Sequence, residues 1–310
     1  MTSNVPGTDA TTGIPPLFEV AVVGTGPAGI TAAAELVRYG RSVVAFERDR
    51  IGGLVHEARR VENVPWASGA MPGLEVARAL EAHLQRFAPE FVDEEVVSVQ
   101  RKAASFEVRT HDRAVRARAV VLACGTRPRA LAVRGEDLPW VATRWTDLRG
   151  HRGTVAVVGG GDLAIDQALS LAEAGFRVEL LVRGEHVECN RPLMDELGRS
   201  KAITQRFRHV VEAFVDGPPR TVLCSSLEGP QGLPVDCALV SIGREQEAPR
   251  ILDTDGRALK LDYLLAHGIK GVFLAGDLAA YGRRRQVAIA AGSGLDAAMR
   301  CEEHLREGGA

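Results

Sequence analysis

An α/β fold built on two copies of one unit is what this sequence predicts, and three observations predict it. An apolar run, a glycine-rich turn, a helix-type stretch and a second apolar run follow one another over residues 18–49. The same order returns over residues 154–184. The chain then closes on a strand-type run, "GVFLAGD", followed by a long helix-type stretch. Strand, tight turn, helix, strand is the βαβ unit. Recurrence at this distance is an internal duplication, not a short-period solenoid.

Taken in order, residues 1–16 ("MTSNVPGTDATTGIPP") are polar and rich in turn formers, and are expected to be a disordered tail without signal regions. "EVAVVG" reads as a buried strand, "AGITAAAELVRYG" as a helix ending at Gly40, and "RSVVAFE" as a second strand. "GLEVARALEAHLQRFA" has a helical pattern, and the alternating residues of "EVVSVQRKAASFEVRTHDRAVRARAVVLACG" suit an antiparallel meander. The second βαβ unit is "TVAVVGGGDLAIDQALSLAEAGFRVELLVRG". Two more strand-like runs follow, "RTVLCSSLEG" and "VDCALVSIG", before the closing strand and the helix "QVAIAAGSGLDAAMRCEEHL".

Composition excludes several classes of protein. The 310 residues suffice for one large domain or two ordinary ones, with 45% hydrophobic and 25% charged residues. A net charge of -2 supplies no field for nucleic acid or an anionic membrane, so neither is expected as a partner. No apolar run approaches the ~18 residues a membrane helix needs. The five cysteines, Cys124, Cys189, Cys224, Cys237 and Cys301, form no C-x-x-C, and the eight histidines form no cluster. That argues against a metal site and against a local redox disulfide. Isolated thiols suit a reducing compartment, and a cytoplasmic location is expected.

The chemistry concentrates in the two turns. The first is Gly24-Thr25-Gly26-Pro27-Ala28-Gly29, a full G-x-G-x-x-G between strand and helix. The first glycine makes the turn, the second lets a pyrophosphate approach the backbone, and the third lets helix and strand pack closely. Glu47, 23 positions beyond Gly24, ends the next strand and is placed to accept hydrogen bonds from ribose hydroxyls. The second turn is Gly159-Gly160-Gly161-Asp162-Leu163-Ala164, with alanine at the packing position. Arg183, 24 positions beyond Gly159, takes the place of the acid. An acid suits a free 2′-hydroxyl and a guanidinium suits a 2′-phosphate, so NADPH is favoured over NADH; the alternative is a solvated arginine at a strand end. Two Rossmann-like dinucleotide sites on one chain suggest electron transfer between two dinucleotides, usually a flavin and a nicotinamide.

These residues resemble the low-molecular-weight thioredoxin reductase family of flavoproteins over nearly the whole chain after the tail. "VVGTGPAG" resembles its FAD turn, and "IGGLVHEARRVENVP" resembles the segment that runs along the FAD, with Gly52, Gly53, Leu54 and Asn63 at cofactor-contacting positions. Val96 matches the position beside the adenine. "LACGTRPR" resembles the family's crossover and carries Ala123 and Gly125. "VVGGGDLAID" resembles the NADPH turn, with Gly159, Gly161, Asp162 and Ala164. "GVFLAGD" and "RRQVAIAAGSG" resemble the C-terminal flavin signature, carrying Gly276, Asp277, Arg285, Gln286 and Val287; Arg283 and Arg284 are expected to face solvent. The resemblance implies three-layer ββα domains. FAD is expected on residues 17–140 and 247–310, with an NAD(P)H domain inserted at 141–246. It also implies a homodimer.

The departures from the family shape the functional expectation. Its C-x-x-C, just before the nicotinamide turn, is replaced here by "VATRW", Val141–Trp145. A dithiol is what passes two electrons to a protein disulfide by exchange, so conventional thioredoxin reduction is not expected. The family's H-R-R-x-x-x-R run is reduced to "VRGEHVECNR", with Arg183 kept, Gly184 and Glu188 in place of arginines, and Arg191 a possible substitute. Trp66 stands where a small residue is usual, either filling a gap or stacking on a ligand. The leading expectation is an FAD-dependent oxidoreductase passing electrons from NAD(P)H to a non-dithiol acceptor, a small redox protein or a small molecule. The alternatives are a reductase of a low-molecular-weight disulfide, with Cys124 the nearest thiol, and a flavin-binding protein that no longer uses NAD(P)H. Trp145 or Arg144 is expected over the flavin face in an interdomain connection, the alternative being a hinge whose tryptophans pack between domains.

Overall fold

The computed structural model describes residues 15–65, 69–280 and 285–308. Most of the expected tail, together with Trp66, Arg283 and Arg284, lies outside the described residues. Pro16, at the end of the expected tail, is tied to the fold: its carbonyl accepts from Arg116 N at 2.8 Å.

The chain enters a first compact unit through β1 (Leu17–Val23), α1 (Pro27–Arg38) and β2 (Val43–Glu47). α2 (Gly73–Phe87) and β3 (Glu90–Asp93) follow, then β4 (Ser98–Arg101), β5 (Phe106–Arg109) and β6 (Ala114–Leu122). Val20, Ala21 and Val22 are fully buried, because parallel neighbours flank β1 and both of its faces are covered. The β4–β5–β6 pairing is antiparallel, as the alternation predicted.

β7 (Thr126–Pro128) leads into the second unit. There β8 (Val141–Ala142), β9 (Thr154–Val158), α3 (Asp162–Glu173) and β10 (Arg177–Val182) repeat the βαβ order. α4 (Arg191–Arg199), β11 (Ile203–Phe207), β12 (Val210–Val215), β13 (Thr221–Ser226), β14 (Gly229–Pro234) and β15 (Cys237–Val240) complete it. Its parallel sheet runs β11-β10-β9-β15-β8, and β12-β13-β14 form a separate antiparallel sheet. β16 (Arg244–Gln246), paired with β7, returns to the first unit, which ends with β17 (Arg250–Leu252), β18 (Ala258–Leu259), α5 (Leu261–His267), β19 (Val272–Leu274) and α6 (Val287–Arg306).

Each unit has three layers for the same reason. Alternate residues of a strand face opposite sides. In the first unit, Val20 and Val22 pack with Ile30, Ala33 and Leu36 of α1 and Ala297 of α6, while Ala21 and Val23 pack with Phe106 and Val108 of the meander. In the second, Val155 and Val157 pack with Ile165 and Leu171 of α3, and Ala156 and Val158 with Phe214 and Val222. Even the helix ends match. Gly40 (φ +79°) and Gly175 (φ +93°) close α1 and α3 through paired bonds, Gly40 N to Val37 O and Arg41 N to Leu36 O, then Gly175 N to Ala172 O and Phe176 N to Leu171 O. These are two copies of one Schellman cap.

The domain borders need correction. The second unit comprises Glu57–Arg59 and Arg127–Glu245, so it starts before the expected Val141. Leu131, Val133 and Leu138 pack on its Trp140 and Phe214 cluster, and β8 pairs with β15, which draws residues 127–140 into it. Glu57–Arg59 joins it through polar bonds: Arg59 N and Nε donate to Asp166 at 3.0 and 3.4 Å, and its guanidinium also reaches Glu173 at 2.8 Å and Glu196 at 2.7 Å.

Candidate functional site

The first turn follows β1. Gly24 has φ +96°, and a Cβ there would lie 2.5 Å from the Ala123 carbonyl oxygen. A Cβ on Gly29 would lie 1.8 Å from the Gly24 carbonyl oxygen. Gly26 is different: its φ of -72° suits any residue, and a Cβ would meet nothing within 4 Å. Neither conformation nor the protein's own packing demands glycine there. The residue type fits a cradle in which a phosphate lies against the backbone at a helix N-terminus. Pro27 opens α1, where its missing N–H costs nothing, and Ala28 is packed beneath.

Glu47 ends β2 beside this turn. Its Oε2 accepts from Thr25 N and Thr25 Oγ1, both at 2.8 Å, and its Oε1 from Arg48 N at 3.0 Å and Asp49 N at 3.1 Å. A carboxylate offers about four lone-pair positions, so Glu47 organises the turn's own backbone, a role the sequence did not announce. Gly52 N donates to Thr25 O at 2.7 Å, and Gly53 lies against Gly26, 3.4 Å from its Cα to a Cβ built at 53. Leu54 follows in a short 3-10 turn over Gly53–Glu57. Asn63 Nδ2 donates to Gln286 Oε1, which brings two expected flavin residues together from positions far apart in the chain.

α6 supplies the rest. A Cβ on Gly294 would lie 2.1 Å from the Ala28 carbonyl oxygen, and one on Gly276 would lie 2.8 Å from the Ala28 Cβ. Gly276 N donates to Ser293 Oγ at 2.7 Å. Asp277 lies in the short turn after β19, while Arg285, Gln286 and Val287 lead into α6. Val96 is buried, and Ala123 and Gly125 (φ +70°) follow β6 beside Gly24. All the residues expected to hold FAD thus fall in the first unit. Cys124, expected as the nearest thiol, contacts the Val23 carbonyl at 3.6 Å, and burial pushes it up to about 12. Desolvation there disfavours the thiolate.

The second turn repeats the cradle. A Cβ on Gly159 would lie 2.1 Å from the Ser241 carbonyl oxygen and 3.0 Å from the Ala164 Cβ, whereas Gly161, at φ -91°, has nothing within 4 Å. Asp162 opens α3, but its Oδ1 accepts from Asn190 N at 2.7 Å and Asn190 Nδ2 at 3.2 Å. Glu188 N donates to Gly160 O at 2.7 Å. Residues 188–190 therefore form a strap fastened to the turn, and Asn190 continues as the cap of α4 by accepting from Leu193 N at 3.1 Å. Arg183 is exposed after β10. Arg191, the possible substitute, opens α4 with its side chain 91% exposed, 4.0 Å from Asp195 of the same helix.

The segment around Trp145 departs from expectation. It is no interdomain connection: the chain passes between units beside β7 and β16 and at Glu57–Arg59. Trp145 Nε1 donates to Glu57 O at 3.0 Å, Thr146 Oγ1 donates to Glu57 Oε1 at 2.8 Å, and Arg149 lies 4.7 Å over the indole. Trp140 is buried edge-on against Phe214, 5.8 Å between centroids. The ring face and N–H of Trp145 are engaged inside the second unit, and Arg144 precedes it in that unit.

Two βαβ units with open second glycines define a protein that binds two dinucleotides. The comparisons make that class specific. Residues 18–294 match the family model for pyridine nucleotide-disulphide oxidoreductases. The chain is 30% identical over 302 residues to a ferredoxin–NADP reductase of Ignicoccus hospitalis, spanning 93% of this chain and 98% of that one. It is 29% identical to a thioredoxin reductase of Mycolicibacterium smegmatis, spanning 94% and 97%. Thioredoxin reductase of Lactococcus lactis shares the fold with a TM-score of 0.82 at 22% identity, over 94% of this chain and 99% of that one. The chain belongs to the pyridine nucleotide-disulphide oxidoreductase family, and within it to the thioredoxin reductase-like members, which are flavin- and NAD(P)H-dependent enzymes.

Proposed function

We propose that the protein passes electrons from NADPH, or NADH, through FAD to an acceptor that is not reduced by dithiol exchange: a small redox protein or a small molecule. The observation that carries this reading is that both cradles are kept while the dithiol is not. Gly26 and Gly161 both leave open space at a helix N-terminus, yet the sequence contains no C-x-x-C. All five thiols are single, and burial raises each of them, Cys124 and Cys301 to about 12 and Cys237 to about 11. Burial thus disfavours the thiolate that exchange uses.

The first unit fits FAD: the Gly24–Gly29 turn for the pyrophosphate, Gly52–Leu54 and Val96 along its length, and Asn63, Asp277, Arg285, Gln286 and Val287 toward the ring. The second fits the nicotinamide nucleotide through Gly159, Gly161, Ala164 and Arg183, with Asp162 holding the strap. When bound, FAD supplies the hydride and electron chemistry. The protein's part is to seat both groups and to hold the turns rigid through Glu47 and Asp162. A homodimer is part of the proposal, supported by the family likeness and by exposed Ile289, Leu295 and Met299 along α6. So is a cytoplasmic location, supported by the single thiols; among the described residues no helix is long and apolar enough to cross a membrane.

Anaerobic titration tests the reading. Purified protein should be yellow and should bleach with NADPH. It should then turn over a quinone or one-electron acceptor but not oxidised thioredoxin. Failure of both NADPH and NADH to bleach the flavin would overturn it.

A further inference from the structure

One buried hydroxyl lies against the second turn without serving the fold. Ser241 is 7% exposed, and among the described residues its Oγ has no hydrogen-bond partner. Such a group is a net cost to a folded protein and calls for a reason.

Its place supplies one. The β9–β15 ladder continues one step beyond β15, with Ser241 N donating to Val158 O at 2.8 Å. The Ser241 carbonyl packs on Gly159, the first glycine of the turn. Alternation fixes its face. Cys237 and Leu239 pack with Ile165 and Ala168 of α3, and Ala238 and Val240 pack on the opposite side with Phe214 and Val222. Ser241 continues the first series, so its hydroxyl is on the α3 side, at the carboxyl ends of β9 and β15. The parallel neighbours β10 and β15 flank β9, and ligands of such sheets sit in the crevice outside the strand ends where the order reverses. Ala123 stands at the equivalent step of the first unit, where its N donates to Val23 O at 2.8 Å and its carbonyl packs on Gly24. The same position carries a methyl in one unit and a hydroxyl in the other.

We infer that Ser241 is a nucleotide-binding residue: its hydroxyl donates to an oxygen of the nicotinamide nucleotide seated on the second turn. This rests on reading that turn as the nicotinamide site. The competing internal partner is Gln167 of α3, which is 1% exposed and whose Oε1 also has no partner among the described residues.

Calorimetric titration of NADP+ and NAD+ into the flavin-loaded protein, with Tm measured alongside, tests it. Ser241→Ala should weaken binding about fivefold to tenfold, the cost of one ligand hydrogen bond. Its Tm should stay level or rise, because an unpartnered group has been removed. A fall in Tm with unchanged affinity would mean that the hydroxyl serves Gln167, and would overturn the inference. Unchanged affinity and unchanged Tm would overturn it as well. Gly161→Val separates the two levels. If the wild type binds neither nucleotide, or Gly161→Val binds as well as the wild type, the reading of the second turn falls and this inference with it. If Gly161→Val abolishes binding and Ser241→Ala does nothing, only the inference falls.

Discussion

The two glycine turns share a frame and differ in how tightly the rest of each unit closes on it. Both follow a buried parallel strand, both leave the second glycine open, and both lead into helices with the same cap. At the first turn, however, the packing position is Gly29, with 1.8 Å between a built Cβ and the Gly24 oxygen, and Gly276 of the turn after β19 and Gly294 of α6 both press on Ala28. Glu47 accepts from three adjoining main-chain N–H groups and the Thr25 hydroxyl. The second turn tolerates Ala164, carries exposed Arg183 in place of the acid, and is walled by a strap fastened through the exposed Asp162–Asn190 pair. A cofactor that stays bound can be built into the core; one that must enter and leave every cycle needs a looser frame. The difference between the turns matches that division of labour.

The largest expected effect breaks the first turn at its tightest point. Gly29→Ala drives a Cβ into backbone that cannot move aside, and should cost about 3 kcal/mol together with most of the bound flavin. The mirror change, Ala164→Gly, should cost only about 1 kcal/mol, the helix propensity difference, and leave the flavin in place. Thermal denaturation and the visible absorbance of purified protein report both. Equal losses at the two sites would remove the contrast.

Next come the open glycines. Gly161→Val should cost only about 1 kcal/mol, that of a poor N-cap, because its Cβ enters open space. It should keep the flavin and lose NADP+ binding, while Gly26→Val should do the reverse. Retention of flavin by Gly26→Val would show that the first cradle is not where FAD sits.

Much of this frame was legible in the sequence, because periodicity and glycine spacing are local signals. The βαβ units, the meander, α2 and α6 all stand where the pattern placed them, and the residues expected on each turn fall together in one unit. What was hidden depends on partners distant in the chain. Arg59 joins the second unit through acids at positions 166, 173 and 196. Trp145 is held by the Glu57 carbonyl. The border at Arg127 is set by scattered apolar residues, Leu131, Val133 and Leu138, with no periodicity to reveal them. The strap on the second turn uses main-chain bonds, to which side-chain identity is nearly blind.

Alkali offers a third comparison. Cys124 and Cys301 of the first unit are raised to about 12, and Cys237 of the second to about 11, from an ordinary value of 9.0. Between these values the folded chain binds protons that the unfolded chain has released. Stability is therefore whole below pH 9 and falls as pH rises toward the folded values, by up to about 1.4 kcal/mol per pH unit for each thiol. Replacing Cys301 with alanine should flatten the fall of Tm between about pH 9 and 11, even though it lowers Tm at neutral pH. An unchanged slope would mean that the thiol titrates alike in the folded and unfolded chains.

The smallest effect concerns the exchange of Glu47 for Arg183. Arg183 is exposed, so Arg183→Ala should leave Tm alone, whereas Glu47→Ala unties both Thr25 donors of the first turn and the main-chain N–H groups of Arg48 and Asp49 and should lower it. The arginine's value would lie in a ligand alone. A guanidinium on a 2′-phosphate gains a charge-assisted hydrogen bond, partly screened at an exposed site, worth roughly 1 kcal/mol or about fivefold in affinity. NADP+ binding to Arg183→Ala should weaken by that factor while NAD+ binding holds, since NAD+ has no 2′-phosphate to lose. With Gly184 and Glu188 replacing its former companions, Arg183 is the positive charge directly after β10, and the ratio of the two affinities isolates it. If that ratio does not move, Arg183 is a solvated strand-end arginine, and the second turn chooses its nucleotide by other means.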